Sequence, residues 1–171
     1  MHSRYVLIGP PGSGKTTVGK ALAKALGVTR HDTDAEVERR AGKPIADIFI
    51  EDGEEAFRAL EATAVADALA GEHGVVSLGG GAVLSPATQE ALRAFTHAGG
   101  NVIYLEVSAQ AVAPRVGFNA ARPLLVGNPR KQWADLMEAR RPLYEGLSTV
   151  TVNTDHINAD RIARQILEAT R

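Results

Sequence analysis

The chain has 171 residues, of which 44% are apolar and 23% charged, a size and composition expected of one globular domain with a single core. Its formal net charge of −1 argues against nucleic acid as a partner, and the absence of cysteine excludes disulfides, thiolate metal sites and cysteine nucleophiles. No apolar run reaches the length of a membrane span, and the first residues lead directly into a strand pattern, so we expect a cytoplasmic protein with no membrane partner.

Apolar runs alternate with helical patterns along the whole chain. The strand-like runs are residues 5–8, 75–78, 102–105 and 150–152, with a weaker one near 28–31. Helical patterns lie around residues 54–70, around 85–97 and near the carboxyl end. Because strands this apolar are usually buried on both faces, the alternation predicts an α/β fold in three layers, with helices on both sides of a parallel sheet.

Two segments depart from this alternation. Residues 34–70 form an insertion with helical patterns throughout, between the second and third predicted strands. Residues 115–130 are rich in Gly, Asn, Arg and Pro, and we expect a mobile loop between helices there. In a phosphotransferase, such segments would supply an acceptor-binding region and a lid.

The phosphate loop, residues 9–16, has the pattern G-x-x-x-x-G-K-[ST] between a predicted strand and a predicted helix. Glycines let consecutive backbone N–H groups curl around phosphate oxygens, and the amino end of the helix adds its dipole. Lys15 would reach the β- and γ-phosphates, and the Thr16 hydroxyl would ligate Mg2+. The sequence therefore predicts that a nucleoside triphosphate binds at Gly12, Ser13, Gly14, Lys15, Thr16 and Thr17.

Asp32 and Asp34 close the second predicted strand, at the same edge of the sheet as the phosphate loop. Asp32 could hold Mg2+ through water, and Asp34 could accept a proton from an alcohol. An alternative is that Asp34 caps the helix predicted at residues 35–40, and both roles can hold together.

The glycine loop, residues 79–81, follows the third predicted strand. Three glycines permit a ligand to approach the backbone closely, although a merely flexible loop is the alternative. Ser77 stands at the strand end where other nucleotide-binding proteins often carry an acid, so metal support must come from elsewhere, with Asp32 as the nearest candidate.

Three arginines are candidates for binding an anion. Arg58 has Glu54, Glu55 and Glu61 at helical spacing, and taken alone it is best explained as a surface ion pair. Arg122 lies in the predicted lid and could fold onto the γ-phosphate. Arg140 lies near the end of a helix, where a simple charge–dipole role is the alternative.

These segments together resemble the shikimate kinase family. The matching residues are 9–17, 32–34, 42–49, 52–58, 79–83, 121–125 and 140–144, in an order and spacing that run from residue 5 to about 168. The resemblance implies a P-loop kinase fold in a single domain, 1–171, with strand order 2-3-1-4-5, a substrate-binding region at about 33–61 and a lid at about 113–125. It also implies a monomer that transfers the γ-phosphoryl group of ATP to the 3-hydroxyl of shikimate, a step toward chorismate and the aromatic amino acids.

The resemblance also assigns roles to single residues. Asp34 would hydrogen-bond the acceptor hydroxyls and act as base, and Thr16 and Asp32 would serve Mg2+. Lys15 and Arg122 would neutralise charge on the transferred group, and Arg115 would lie against adenine. The remaining residues implied to bind shikimate are Arg58 and Arg140 on its carboxylate, Gly79, Gly80 and Gly81 through the backbone, and Phe49 and Phe57 along its ring.

Two other functions fit parts of the same pattern. Another small-molecule kinase, such as a gluconate kinase, would share the phosphate loop and lid but not the arginine pair. A nucleotide-sensing module would fit better if Lys15, Asp34 or Arg122 were absent, and all three are present.

Overall fold

The computed structural model describes residues 3–116, 128–156 and 158–171. Its five strands form one parallel sheet in the order β2-β3-β1-β4-β5, which confirms the predicted fold and strand order. The strands are β1 (Tyr5–Ile8), β2 (Arg30–Asp32), β3 (Val75–Ser77), β4 (Asn101–Glu106) and β5 (Val150–Asn153).

Eight α-helices lie within the described residues, along with a short 3-10 turn at Ala82–Leu84. They are α1 (Lys15–Leu26), α2 (Thr33–Ala41), α3 (Ile45–Asp52), α4 (Glu54–Ala70), α5 (Pro86–His97), α6 (Ala109–Val116), α7 (Pro129–Leu147) and α8 (Ala159–Ala169). No helix in the described part of the chain is both long and apolar enough to cross a membrane.

Alternating side chains of the central strand divide the core into two layers. Val6 and Ile8 face a cluster that contains residues of α4, α5 and α7, whereas Tyr5 and Leu7 face one that contains residues of α1 and α8. Helices therefore cover both faces of the sheet, as the apolar strands predict. Since β1 lies at the centre of the sheet, the loop that follows it starts in the middle of the carboxyl edge.

The predicted helical insertion forms α2, α3 and α4. These helices enclose a small core of their own, made of Val37, Ile48, Phe57 and Ala64. The later part of α4 contributes to the main core through residues such as Val65. The insertion is thus anchored to the sheet by α4.

Asp32, and not Asp34, caps α2. Asp32 has an extended backbone conformation, and its Oδ1 accepts the N–H groups of Asp34 (2.9 Å) and Ala35 (3.3 Å). Asp34 already belongs to the first turn of the helix, so the alternative that it serves as the cap is wrong. This arrangement leaves the Asp34 carboxylate available for another role.

Candidate active site

The phosphate loop is shaped by glycines where other residues would be strained or would clash. Gly12 and Gly14 have φ values of 82° and 95°, in the left-handed region. A Cβ on Gly12 would also lie 2.5 Å from Val112 Cγ2 of α6. Helix α1 begins directly after Gly14, and no side chain of the described residues caps it. Its first N–H groups are therefore available to an anion such as a phosphate group.

A cavity of about 470 Å³ opens beside this loop at the carboxyl edge of the sheet. It brings together residues of the phosphate loop, α2, the glycine loop and α6. The predicted site residues that line it are Gly12, Gly14, Lys15, Thr16, Thr17, Asp32, Asp34, Gly79, Gly80 and Arg115. Ser13 does not line the cavity: its side chain is buried, and its carbonyl accepts a hydrogen bond from Thr154 Oγ1 at 2.7 Å.

Lys15 is folded back over the loop that precedes it. Its Nζ donates to the carbonyl oxygens of Gly9 (2.7 Å) and Pro10 (3.0 Å). Burial lowers its pKa to about 8, although the nearby carboxylates of Asp34 and Asp32 oppose the change. The ammonium group is thus a partly desolvated cation, which interacts more strongly with phosphate than an exposed lysine would.

Asp34 is a carboxylate whose environment favours the protonated form. Burial, with the negative charges of Asp32 and Glu61, raises its pKa to about 6, and the positive charge of Lys15 acts in the opposite direction. Its Oδ1 is buried and has no hydrogen-bond partner among the described residues. An ionised but unsatisfied acceptor oxygen in a cavity is suited to bind a hydroxyl group and to take its proton.

Arg58 pairs with a buried carboxylate and not merely with surface acids. Its Nη1 lies 2.7 Å from Oε1 of Glu61, whose side chain is 2% exposed, whereas its Nε is 3.8 Å from Glu54. Burial raises the pKa of Glu61, and the charge of Arg58 opposes this effect. The interpretation of Arg58 as a surface ion pair is therefore wrong, because Glu61 fixes one side of its guanidinium inside the protein.

The predicted ring-binding phenylalanines lie next to Arg58. The rings of Phe49 and Phe57 are in contact, with centroids 4.8 Å apart, and the Arg58 guanidinium lies 5.2 Å from the centroid of Phe57. Phe57 is mostly covered by the small core of the insertion, and Phe49 packs against that core. These contacts place an apolar surface beside a cation, although these three residues do not line the 470 Å³ cavity.

Each glycine of the glycine loop is in close contact with another part of the site. A Cβ on Gly79 would lie 2.6 Å from Asp34 Oδ1, and one on Gly81 would lie 2.7 Å from Arg58 Nη1. A Cβ on Gly80 would lie 2.7 Å from the Cδ atom of Pro11 in the phosphate loop. The loop thus packs directly against Asp34, Pro11 and Arg58, which favours the close approach of backbone over a merely flexible loop.

Arg140, on α7, reaches the same group of charges. Its positive charge adds to the effect of burial in lowering the pKa of Lys15 and opposes the effect of burial in raising the pKa of Glu61, and its Nε is buried with no hydrogen-bond partner among the residues that the structure describes. One turn later, Tyr144 donates a hydrogen bond from its hydroxyl to the Gly80 carbonyl. The structure thus brings Arg58, Arg140 and Asp34 around the glycine loop.

Arg115, at the end of α6, contacts the backbone on two sides. Its guanidinium donates to the carbonyls of Gly12 (3.3 Å), Thr154 (2.6 Å) and Asp155 (2.9 Å). It therefore joins the phosphate loop to the segment after β5. Arg122 and the rest of the predicted lid from residue 117 onward lie outside the described residues.

The residues present are suited to Mg2+ in the presence of a nucleotide. Within the described residues, no group of three or more His, Cys, Asp or Glu side chains is placed to hold a metal ion. Thr16 and Asp32 nevertheless both line the cavity beside the phosphate loop. Mg2+ is commonly held by one or two protein oxygens together with substrate phosphates and water, so this sparse donor set fits it.

The sequence indicated Glu61 only as one of the surface acids that could pair with Arg58, and it assigned no separate role to Tyr144. Glu61 follows Arg58 by three residues, and Tyr144 follows Arg140 by four, so each spacing indicates a contact on the same helix face. That both side chains are buried against the glycine loop depends on the packing of α4 and α7. No local pattern shows that packing.

Comparison with known proteins identifies relatives of the whole chain. The family described as shikimate kinase matches residues 11–171. The shikimate kinase of Thermobifida fusca is 56% identical over 161 residues, covering 94% of this chain and 91% of the relative. That of Salinispora arenicola is 52% identical over 161 residues, covering 94% and 93%.

Solved structures agree with these matches. The shikimate kinase of Acinetobacter baumannii, solved in complex with shikimate, has a TM-score of 0.90 and 35% identity, covering 98% of this chain and 92% of that one. A gluconokinase from Sinorhizobium meliloti, at 22% identity and a TM-score of 0.60, shares only the fold. On the family match and the identity to curated relatives, the chain belongs to the shikimate kinase family.

Proposed function

We propose that this protein transfers the γ-phosphoryl group of ATP to the 3-hydroxyl of shikimate, giving shikimate 3-phosphate and ADP with Mg2+ as the metal. The observation that carries this function is the arrangement of Arg58 and Arg140 around Glu61 and the glycine loop, beside Asp34. A small hydroxylated acid needs a cation for its carboxylate and an acceptor for its hydroxyl. These groups supply both next to a phosphate loop.

The donor half of the site would bind the triphosphate. The amino end of α1 and the Lys15 ammonium would hold the β- and γ-phosphates, and Arg115 would lie on the adenine side. Mg2+, when bound by Thr16 and through water by Asp32, would neutralise phosphate charge. Arg122 as the lid arginine stays a prediction of the sequence.

The acceptor half would orient the alcohol. Arg58 and Arg140 would bind the carboxylate, Phe49 and Phe57 would border the ring, and a backbone group of the glycine loop would supply a further hydrogen bond. Asp34 would accept the proton of the attacking hydroxyl as the phosphoryl group is transferred. Phosphoryl transfer depends mainly on positioning and charge neutralisation, so no covalent intermediate is required.

A panel of acceptors tests this function. Purified protein with MgATP should release ADP with shikimate and not with gluconate or a nucleoside monophosphate. A Lys15→Ala variant prepared in parallel measures any kinase carried over from the expression host. Turnover of gluconate as fast as that of shikimate would overturn the proposal.

The rate should depend on pH on both sides of neutrality. We expect kcat/KM for shikimate to fall as the pH drops through about 6, because protonated Asp34 cannot act as base. We expect kcat/KM for ATP to fall as the pH rises through about 8, because Lys15 of the free enzyme then loses its charge. Initial rates across this range test both limbs, and an acid limb near the ordinary aspartate value of 3.8 would contradict the role of Asp34.

Three further properties stay predictions of the sequence: a single domain spanning 1–171, a monomeric state without nucleic-acid partners, and a cytoplasmic location. The low net charge supports the absence of nucleic-acid binding.

A further inference from the structure

Tyr144 is a buried tyrosine whose hydroxyl contacts two elements of the acceptor half. The side chain has no exposed surface and stacks on Tyr104 of β4, with ring centroids 5.0 Å apart. Its hydroxyl donates to the carbonyl oxygen of Gly80. Burial raises the pKa of this hydroxyl, and the positive charge of Arg140, one turn earlier on α7, acts in the opposite direction, so the guanidinium lies near the hydroxyl.

The hydroxyl therefore lies between a cation and a backbone carbonyl that belong to different parts of the fold. On the far side of the glycine loop, Gly80 packs against Pro11 of the phosphate loop. Its neighbours pack against Asp34 and Arg58. The glycine loop is closely packed and has little free space. A shift of the Gly80 peptide would therefore also move the loop relative to Pro11, Asp34 and Arg58.

We propose that Tyr144 is a positioning residue, whose hydroxyl holds Arg140 and the glycine loop in one arrangement and so sets the affinity for the acceptor. This inference rests on the proposed function. Tyr144 need not contact the substrate: it acts through the two groups that do. Removing the hydroxyl would deprive the Gly80 carbonyl of its donor and would take away the polar group beside Arg140, while the ring would still fill the core.

Tyr144→Phe tests the inference, and Tyr104→Phe is its matched control. Both tyrosines are fully buried in the same cluster, but the Tyr104 hydroxyl has no hydrogen-bond partner among the described residues. We expect Tyr144→Phe to raise the KM and Kd for shikimate by about 3- to 10-fold and to leave KM for ATP within about twofold. Tyr104→Phe should leave both within about twofold.

Calorimetric titration with shikimate, steady-state kinetics and thermal unfolding together separate the outcomes. An unchanged shikimate Kd in Tyr144→Phe would overturn the inference. An equal loss of affinity for ATP and shikimate would also overturn it, because such a loss indicates that the variant destabilises the whole protein. Combining Tyr144→Phe with Arg140→Ala should give less than the sum of the two effects, and strict additivity would remove Arg140 from the arrangement. Failure of the wild-type protein to phosphorylate shikimate would overturn the proposed function itself, and this outcome is distinct from an unchanged Kd in Tyr144→Phe.

Discussion

Asp34→Asn is expected to lower kcat by about 10²- to 10⁴-fold while leaving KM for ATP within about twofold. Asparagine keeps the shape of the side chain and can still contact a hydroxyl, but it cannot accept the proton. Asp34 lies with Lys15 in the cavity beside the phosphate loop, and its buried Oδ1 is unsatisfied among the described residues. Steady-state kinetics with both substrates measure the effect, and a kcat near that of the wild type would exclude Asp34 as the base.

The stability of the same variant provides its control. Because the pKa of Asp34 is raised in the folded protein to about 6 from the ordinary 3.8, ionisation of this carboxyl opposes folding, and the penalty is fully present above about pH 6. Asp34→Asn should therefore raise the free energy of unfolding by about 1–3 kcal/mol at pH 8. The difference should disappear as the pH falls below 3.8, and urea unfolding at several pH values tests this. If the variant is inactive but more stable than the wild type, its loss of activity is due to the missing catalytic group and not to unfolding.

Arg58→Ala is expected to raise the KM for shikimate by about 10²-fold, with little change in KM for ATP. The guanidinium would supply charge-assisted hydrogen bonds to a carboxylate, and Glu61 holds it beside Gly81 for this purpose. The substitution also leaves the buried Glu61 carboxylate without its cation, which destabilises the protein. The measurement is therefore made on Arg58→Ala combined with Glu61→Gln as well as on the single variant.

Arg39→Ala is the matched control for Arg58. Arg39 also pairs with a glutamate three residues away on its helix, at 2.6 Å from Glu36, but its side chain is 71% exposed. We expect no measurable change in either KM from this variant. If Arg58→Ala raises both KM values equally, or if Arg39→Ala has a similar effect, Arg58 does not act on the acceptor carboxylate.

The parts of the site that are contiguous in sequence could be predicted, and those that depend on packing could not. The phosphate loop is a local pattern whose glycines and lysine define its chemistry, and the alternation of apolar runs with helical patterns predicted the sheet. That Asp32 and not Asp34 caps α2 follows from a helix that begins two residues earlier than the sequence predicted, and sequence patterns locate such boundaries poorly. The sequence indicated that Glu61 is a surface acid, whereas in the structure it is buried where α4 packs against the glycine loop. The spacing of residues on α4 alone does not reveal that contact.

The small core of the insertion has a consequence for changing the enzyme's specificity. Phe57 borders the predicted acceptor region and also belongs to the cluster of Val37, Ile48 and Ala64 that holds α2, α3 and α4 together. The surface that would select the acceptor is therefore also the interior of the element that carries it. A smaller residue at Phe57 would also open a cavity in that core, so variants made at this position for a new acceptor preference will need compensating substitutions at neighbouring core positions.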